Sequence, residues 1–231
     1  MRKIKISCII PAYNEAKRIS AVLRILQHHP MVSEIIVVND GSTDDTLKVV
    51  KVFKNIQLIN HKSNKGKTSA VLAGLRKANN EFIMLMDADL VGITKDNVTA
   101  LITPIIKNEA DISISLRKNS LFFFKLIGLD FVSGERVFNK NLLKDYASLK
   151  KISGYGLETF LNEKIINSSK KIAVVRWKNV SHARKSEKVG LVNGIKGELS
   201  MIFQIIRTIG LSRLLYQMAK MSYLKNYSKS L

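Results

Sequence analysis

The sequence predicts an α/β fold: a mostly parallel sheet with helices on both faces, followed by C-terminal amphipathic helices. Two observations carry this. Short apolar runs alternate with stretches of helical periodicity up to residue 89, the pattern of a parallel sheet built from strand–helix units. Clusters of polar residues then follow the apolar runs, and in such sheets ligands sit beyond the carboxyl ends of the strands.

The elements follow in order. Residues 4–10 form an apolar strand stopped at Pro11. Residues 15–28 read as a helix, because Ile19, Val22, Leu23 and Leu26 share one face. Residues 34–38 are a second strand, and 43–53 a second helix with Asp44 and Asp45 in its first turn, where the helix dipole favours acids. Residues 56–60 are a third strand, 67–78 a third helix and 82–86 a fourth strand. The alternation then weakens. Residues 96–107 read as a helix, 111–116 as a strand and 173–180 as a strand-like run followed by a basic loop. From Leu191, apolar residues recur at helical spacing, in one long helix or in two broken near Gly210. This divides the chain into a domain over 1–190 and a helical extension over 191–231.

Charge and composition narrow the function. The chain has 231 residues, 46% of them hydrophobic, enough for one well-buried domain. It carries 38 Lys and Arg against 18 Asp and Glu, a net charge of +20, which favours anionic partners: nucleic acid, acidic lipid or a phosphorylated substrate. The single cysteine, Cys8, lies in an apolar run and reads as core; one cysteine allows no intrachain disulfide, which suits a reducing compartment. The first residues read as a strand rather than a signal peptide, since Pro11, Asn14 and Glu15 interrupt the apolar stretch. No window offers about 20 apolar residues without charge, so no membrane-spanning helix is expected. His28, His29 and His61 read as surface residues.

The acids of Asp87-Ala88-Asp89 end an apolar run and suit a hard divalent cation that also holds phosphate oxygens. Upstream strand ends carry Pro11-Ala12-Tyr13-Asn14-Glu15, then Asn39-Asp40-Gly41-Ser42-Thr43-Asp44, then Asn64-Lys65-Gly66-Lys67. Taken in order, these four segments resemble the signature of family 2 glycosyltransferases. Ser133-Gly134-Glu135-Arg136 resembles an element of the polyprenyl-phosphate branch of that family, and Gly154-Tyr155-Gly156-Leu157-Glu158 its acceptor-side acidic motif.

The resemblance implies the GT-A fold, a nucleotide-sugar donor (UDP- or GDP-linked), Mg²⁺ or Mn²⁺, and inversion as the default, with retention left open. It implies donor contacts from Pro11, Ala12, Tyr13, Glu15, Asp40, Gly41, Lys65, Gly66, Lys67 and Asp87. It implies a metal held by Asp89, with Asp87 and His182. It implies acceptor contacts from Arg136 and Gly154, and Glu158 as general base for a hydroxyl acceptor or as an orienting group for a phosphate. Asp89 and Glu158 are then the catalytic pair. The bland alternatives are a solvated helix start for Lys65 and Lys67, a structural ion pair for Arg136, a surface acid for Glu158 and a structural role for His182.

The extension pairs Ile202, Ile206, Leu214 and Met218 with Arg207, Arg213 and Lys220, the composition of an interfacial membrane helix. The alternative is packing on the domain or in a homodimer. The favoured reading is a cytoplasmic enzyme, peripheral at the inner face of the membrane in the cell envelope, with a lipid-linked acceptor; a saccharide acceptor is the alternative. A nucleic-acid-binding protein would use the charge. Aromatic content is only 7%, however, and no helix-turn-helix, zinc or RNA-recognition signature is visible, so no specific nucleic acid is expected. A sugar-phosphate nucleotidyltransferase would need a glycine-rich phosphate loop where Pro11–Glu15 has no glycine.

Overall fold

The structure, a computed structural model, describes residues 4–150, 152, 156–182, 203, 206, 207 and 209–227. Strands β1 (Ile6–Ala12), β2 (Val32–Asn39), β3 (Gln57–Asn60) and β4 (Phe82–Leu85) alternate with helices α1 (Ile19–Gln27), α2 (Thr46–Lys51) and α3 (Lys67–Lys77). There follow β5 (Leu90–Val91), α4 (Lys95–Ile106), β6 (Ile112–Arg117), α5 (Phe122–Ile127), β7 (Arg136–Asn139), a 3-10 turn over Lys140–Leu143, α6 (Tyr146–Lys150), α7 (Gly156–Asn167), β8 (Ile172–Trp177), β9 (Ser181–His182), α8 (Leu211–Leu224) and β10 (Lys225–Tyr227).

Eight strands form one sheet in the order β10-β8-β6-β7-β4-β1-β2-β3. Every neighbouring pair is parallel except those of β7, which runs antiparallel to both β4 and β6. The apolar faces of α1, α2 and α4 cover one side of the sheet. Those of α3, α5, α6, α7 and α8 cover the other. The helix stripe read from the sequence is the one buried: Ile19, Val22, Leu23 and Leu26 are all inaccessible. Gly74 lets α3 lie close on the sheet, since a Cβ there would stand 2.4 Å from Ile9 Cγ2.

Two local readings are corrected and one strand is added. The second helix starts at Thr46, so Asp44 and Asp45 precede it. Asp44 instead accepts the Thr46 N–H on Oδ1 at 2.9 Å and the Ala16 N–H on Oδ2 at 3.1 Å, tying two loops together. The 133–139 stretch, where the sequence shows only mixed small and charged residues, ends in a central strand. His29 is buried, not exposed, and its Nε2 lies 3.0 Å from Thr99 Oγ1 on α4.

The expected boundary between 190 and 191 lies outside the described residues. The end of the predicted extension is built into the main body. Leu214, Met218 and Met221 of α8 join the core above α7, Gln217 Nε2 donates to Thr159 O at 3.0 Å, and β10 pairs with β8. Gly210, at φ +81°, interrupts the helix ahead of α8, which is the second of the two arrangements the periodicity allows. Met221 is wholly buried. Met221→Ala is therefore expected to lower unfolding free energy by about 2–4 kcal/mol, as large-to-small changes in a core do. Urea denaturation checks this; a loss under about 0.5 kcal/mol, the surface range, would make α8 an appendage.

Candidate active site

The sheet order fixes where a site can form. From β1 the chain builds outward to β2 and β3 on one side, and β4 then pairs on the other. The switch point lies between β1 and β4, and beyond it stand the Pro11–Glu15 loop and Asp87-Ala88-Asp89. Because β7 is antiparallel and pairs Arg136 with Leu85, the residues just before it arrive at the same edge. Ser133, Gly134 and Glu135 are thereby placed beside the acids that follow β4. The short β5–β9 pair sets His182 opposite Leu90, the residue after Asp89. Asn119 clamps the His182 backbone on both sides, accepting its N–H and donating to its carbonyl, each at 3.2 Å.

Asp87 is the centre of the resulting cluster. Its Oδ1 lies 2.8 Å from Lys67 Nζ, and its Oδ2 lies 3.2 Å from His182 Nε2. Lys67 Nζ also meets Glu158 Oε1 at 2.9 Å, and His182 Nε2 meets Glu135 Oε1 at 3.1 Å. Gly134 lies directly under Asp87, where a Cβ would come within 2.4 Å of Oδ2. Glu135 is fully buried; its Oε2 accepts from Ser115 at 2.6 Å, Ser133 at 2.9 Å and Arg117, whose NH2 reaches Asp130 at 3.1 Å.

The charges follow from these contacts. Burial would raise the Asp87 carboxyl, but Lys67 and His182 hold it well below the usual carboxylate range. Burial would likewise raise Glu135, but chiefly Arg117 holds it down at about 2. Burial opposes the charge on Lys67, yet Asp87 and Glu158 keep it firmly protonated. Asp89 is the exception. Burial pushes its carboxyl up, His182 opposes, and Asp87 and Glu135 add repulsion. Among the described residues no donor bonds the Asp89 carboxylate. Glu158 Oε2 is buried and, among the described residues, also without a partner.

A cleft of about 370 Å³ opens over this cluster, lined by Pro11, Ala12, Tyr13, Glu15, Asp40, Asn64, Gly66, Lys67, Asp87, Asp89 and His182 among others. Glu158 lies behind Lys67 in an adjoining recess with Ser133, Gly134 and Arg136. Asp40 is buried and already engaged: Oδ1 is bonded by His61 Nδ1 at 2.7 Å and Lys65 N–H at 3.1 Å, Oδ2 by Gly66 N–H at 2.7 Å. His61 is thus no free surface residue. Gly41, at φ +69°, is required by its own chain, since a Cβ there would meet the Ser63 carbonyl carbon at 2.3 Å. The Lys65 side chain does not line the cleft, and its backbone serves Asp40. Arg136 is fully buried and donates to Ser133 O, Asn162 Oδ1 and Phe131 O at 2.7–2.8 Å, which is a structural latch and not a hand held out to an acceptor. Gly154 lies outside the described residues.

The donor set fits a divalent ion. Ligand atoms of Asp87, Glu135 and His182 lie within 4.8 Å of one another, with the unbonded Asp89 carboxylate beside them. Carboxylate oxygens with one imidazole suit Mn²⁺ well and Mg²⁺ less fully. Glu135 was not singled out from the sequence as a ligand; its position in Ser133-Gly134-Glu135-Arg136 is the one signal that pointed near it. Arg117, Asp130, Asn119 and His61 carried none.

The sequence profile described as glycosyl transferase family 2 matches residues 7–145. A dolichyl-phosphate beta-glucosyltransferase (ALG5D) of Trichomonas vaginalis is 32% identical over 173 residues, 69% of this chain and 48% of that protein. A UDP-N-acetylglucosamine–dolichyl-phosphate N-acetylglucosaminyltransferase of Methanococcus voltae is 30% identical over 174 residues, 66% of this chain and 61% of that protein. The chain thus spans about half the length of curated relatives that it matches. Among solved structures, glucosyl-3-phosphoglycerate synthase from Mycobacterium tuberculosis, in complex with Mn²⁺, UDP and phosphoglyceric acid, superposes with a TM-score of 0.70 at 20% identity, covering 93% of this chain and 78% of that one. That likeness shows the fold, a GT-A-like α/β architecture.

The His182 environment makes a testable claim. Burial alone would lower its pKa, but hydrogen bonds to Asp87 and Glu135 push it up from 6.5 to about 10. The bound proton stabilises the metal-free fold fully below pH 6.5, and that contribution is lost as pH rises through about 10. In metal-free protein the His182 imidazole signal, assigned with His182→Gln, should stay that of the protonated ring at pH 8 by NMR. A midpoint near 6.5 would contradict the ion-paired arrangement.

Proposed function

The chain belongs to glycosyl transferase family 2, and from that premise we propose that it is a metal-dependent glycosyltransferase acting on a nucleotide-sugar donor and a lipid-linked acceptor, favoured as a polyprenyl phosphate. The observation that carries this is the half-buried Asp89 carboxylate, unbonded among the described residues on the donor side of the cleft, with Glu158 Oε2, buried and unpaired, in the adjoining recess behind Lys67.

Each group has work suited to its setting. The Pro11–Glu15 loop and Asp40 wall the nucleoside end, with Tyr13, 45% exposed, offering a packing surface. A divalent ion held by Asp89, Asp87 and His182 would supply positive charge to the leaving nucleoside diphosphate. Transfer forms a bond from the acceptor oxygen to the anomeric carbon as the bond to the diphosphate oxygen breaks, and the electron pair leaves with the diphosphate. Glu158, fixed on Oε1 by Lys67, has Oε2 free to take a hydroxyl proton. A phosphate acceptor arrives ionised and needs only orientation from it.

The acceptor assignment is supported by the names of the two relatives and by the surface. Leu211, Leu215, Tyr216 and Tyr223 of α8 face outward, as does Leu126 of α5, and Lys225 joins the two regions by bonding Ile127 O. No helix among the described residues is long and apolar enough to cross a membrane. An apolar face beside Lys220 and Arg207 suits attachment to an anionic leaflet, each cation there being worth about 1 kcal/mol. We place the protein at the inner face of the membrane on this basis, with burial of the same face in a homodimer as the competing cover.

The experiment is a transfer assay over UDP- and GDP-sugars, with polyprenyl phosphate in anionic or neutral vesicles and with soluble saccharides. Transfer to the lipid should exceed transfer to saccharides, be faster on anionic vesicles, stop in EDTA and fall at least about a hundredfold in Asp89→Ala. Full-rate transfer in excess EDTA would overturn the metal assignment, and preference for soluble acceptors the lipid one.

A further inference from the structure

Asn14 lies in the loop that lines the cleft, yet its side chain is turned away from the cleft and into the neighbouring loop. Its Oδ1 accepts from Thr43 N at 2.9 Å, Thr43 Oγ1 at 3.3 Å and Asp44 N at 3.4 Å. Its own N–H donates to Ser42 Oγ at 3.0 Å. The next two amides continue the seam: Glu15 N–H bonds Thr46 Oγ1 at 2.8 Å, and Ala16 N–H bonds Asp44 Oδ2 at 3.1 Å. Asp40 N–H to Ala12 O, at 2.8 Å, closes it on the sheet side. Two loops that leave β1 and β2 side by side are thus stitched along their length.

Asn14 also holds φ +56°, in the left-handed region. Asparagine tolerates that region better than other side-chain-bearing residues. The chain bends there between Tyr13 and Glu15, both of which line the cleft while Asn14 does not. Asp40 lines it from the other stitched loop.

We propose that Asn14 is a positioning residue for the nucleoside end of the cleft: its carboxamide oxygen sets the spacing of Tyr13 and Glu15 against Asp40, and so the affinity for the nucleoside diphosphate. This rests on the donor reading above. Asn14 is exposed, so water replaces its hydrogen bonds when they are lost, and the global fold depends on it little. What is lost is the order of the loop pair before the ligand arrives, and ordering it then is charged against binding.

The chemistry of the seam allows a sharp test. Among the described residues only the oxygen of the carboxamide is used, so Asn14→Asp keeps the acceptor and tolerates the backbone, whereas Asn14→Gly keeps the backbone and removes the acceptor. UDP and GDP affinities are measured by calorimetry with Mn²⁺, at high salt to screen repulsion between the new acid and Asp44. Asn14→Gly should weaken binding of the preferred nucleotide about tenfold, with a thermal midpoint within about 2 °C of the parent. Asn14→Asp should recover to within about threefold of the parent. Parent protein that binds neither nucleotide overturns the donor reading and this inference together. Parent binding with an unchanged Asn14→Gly, or Asn14→Asp no better than Asn14→Gly, overturns the inference alone. So does a midpoint that falls along with affinity, since Asn14 would then serve stability.

Discussion

The shared Asp87 carboxylate is the interaction on which the rest of the site depends. Lys67 takes one oxygen and His182 the other, and through them Glu158 and Glu135 are fixed as well. Removing one member leaves its partners' charges uncompensated, most severely for the buried Glu135 and Glu158. Five segments, remote in sequence, are thereby held to one arrangement. The arrangement also needs the absence of a side chain at Gly134, because Asp87 fills the space a Cβ would take.

The sheet supplies this convergence through one departure from parallel order. Parallel strands put the ends of β1, β2 and β4 along one edge, which gathers the nucleotide-side loops. They cannot bring in residues that precede a strand. The antiparallel β7 does so, delivering Ser133, Gly134 and Glu135 to the carboxyl end of β4. Beneath them, Arg117, Asp130, Ser115 and Ser120 form a buried polar base that fixes the Glu135 carboxylate. Polar networks of this kind are costly unless every member is satisfied, and Arg117 Nε is left without a partner.

The parts legible in the sequence were those with a local signature. The strand–helix alternation to residue 89 needs only periodicity, and the polar strand ends announce themselves by composition. Asp87, Asp89, Tyr13 and Lys67, which line the cleft, sit in short motifs that mark them in the sequence. The limits were non-local. Nothing in Arg136 itself distinguishes a phosphate ligand from a latch; what decides is that Phe131, Ser133 and Asn162 close around it. His61 and Asn119 stand in unremarkable polar stretches and acquire roles only by meeting Asp40 and His182. Gly41 stands in a motif that implies donor contact, but what requires a glycine there is Ser63 and Asn64 of the same chain, which a Cβ would meet. The apolar periodicity near the C-terminus was visible, but not that its inner stripe would be covered by α7 while Leu211, Leu215 and Tyr216 stay outside.

The described cluster is acid-rich within a protein of charge +20, and its own cations, Lys67, His182 and Arg117, are committed to carboxylates. Among the described residues of the cluster, Asp89 alone keeps its charge unbalanced by contact, the feature on which the proposed cation rests. The most direct test is pulsed electron paramagnetic resonance of Mn²⁺ with UDP in protein carrying nitrogen-15 histidine. A cation held by Asp89, Asp87 and His182 predicts an imidazole nitrogen coupling that vanishes in His182→Gln. Mn²⁺ bound with UDP but without any histidine coupling, or with a coupling that survives His182→Gln, would contradict it.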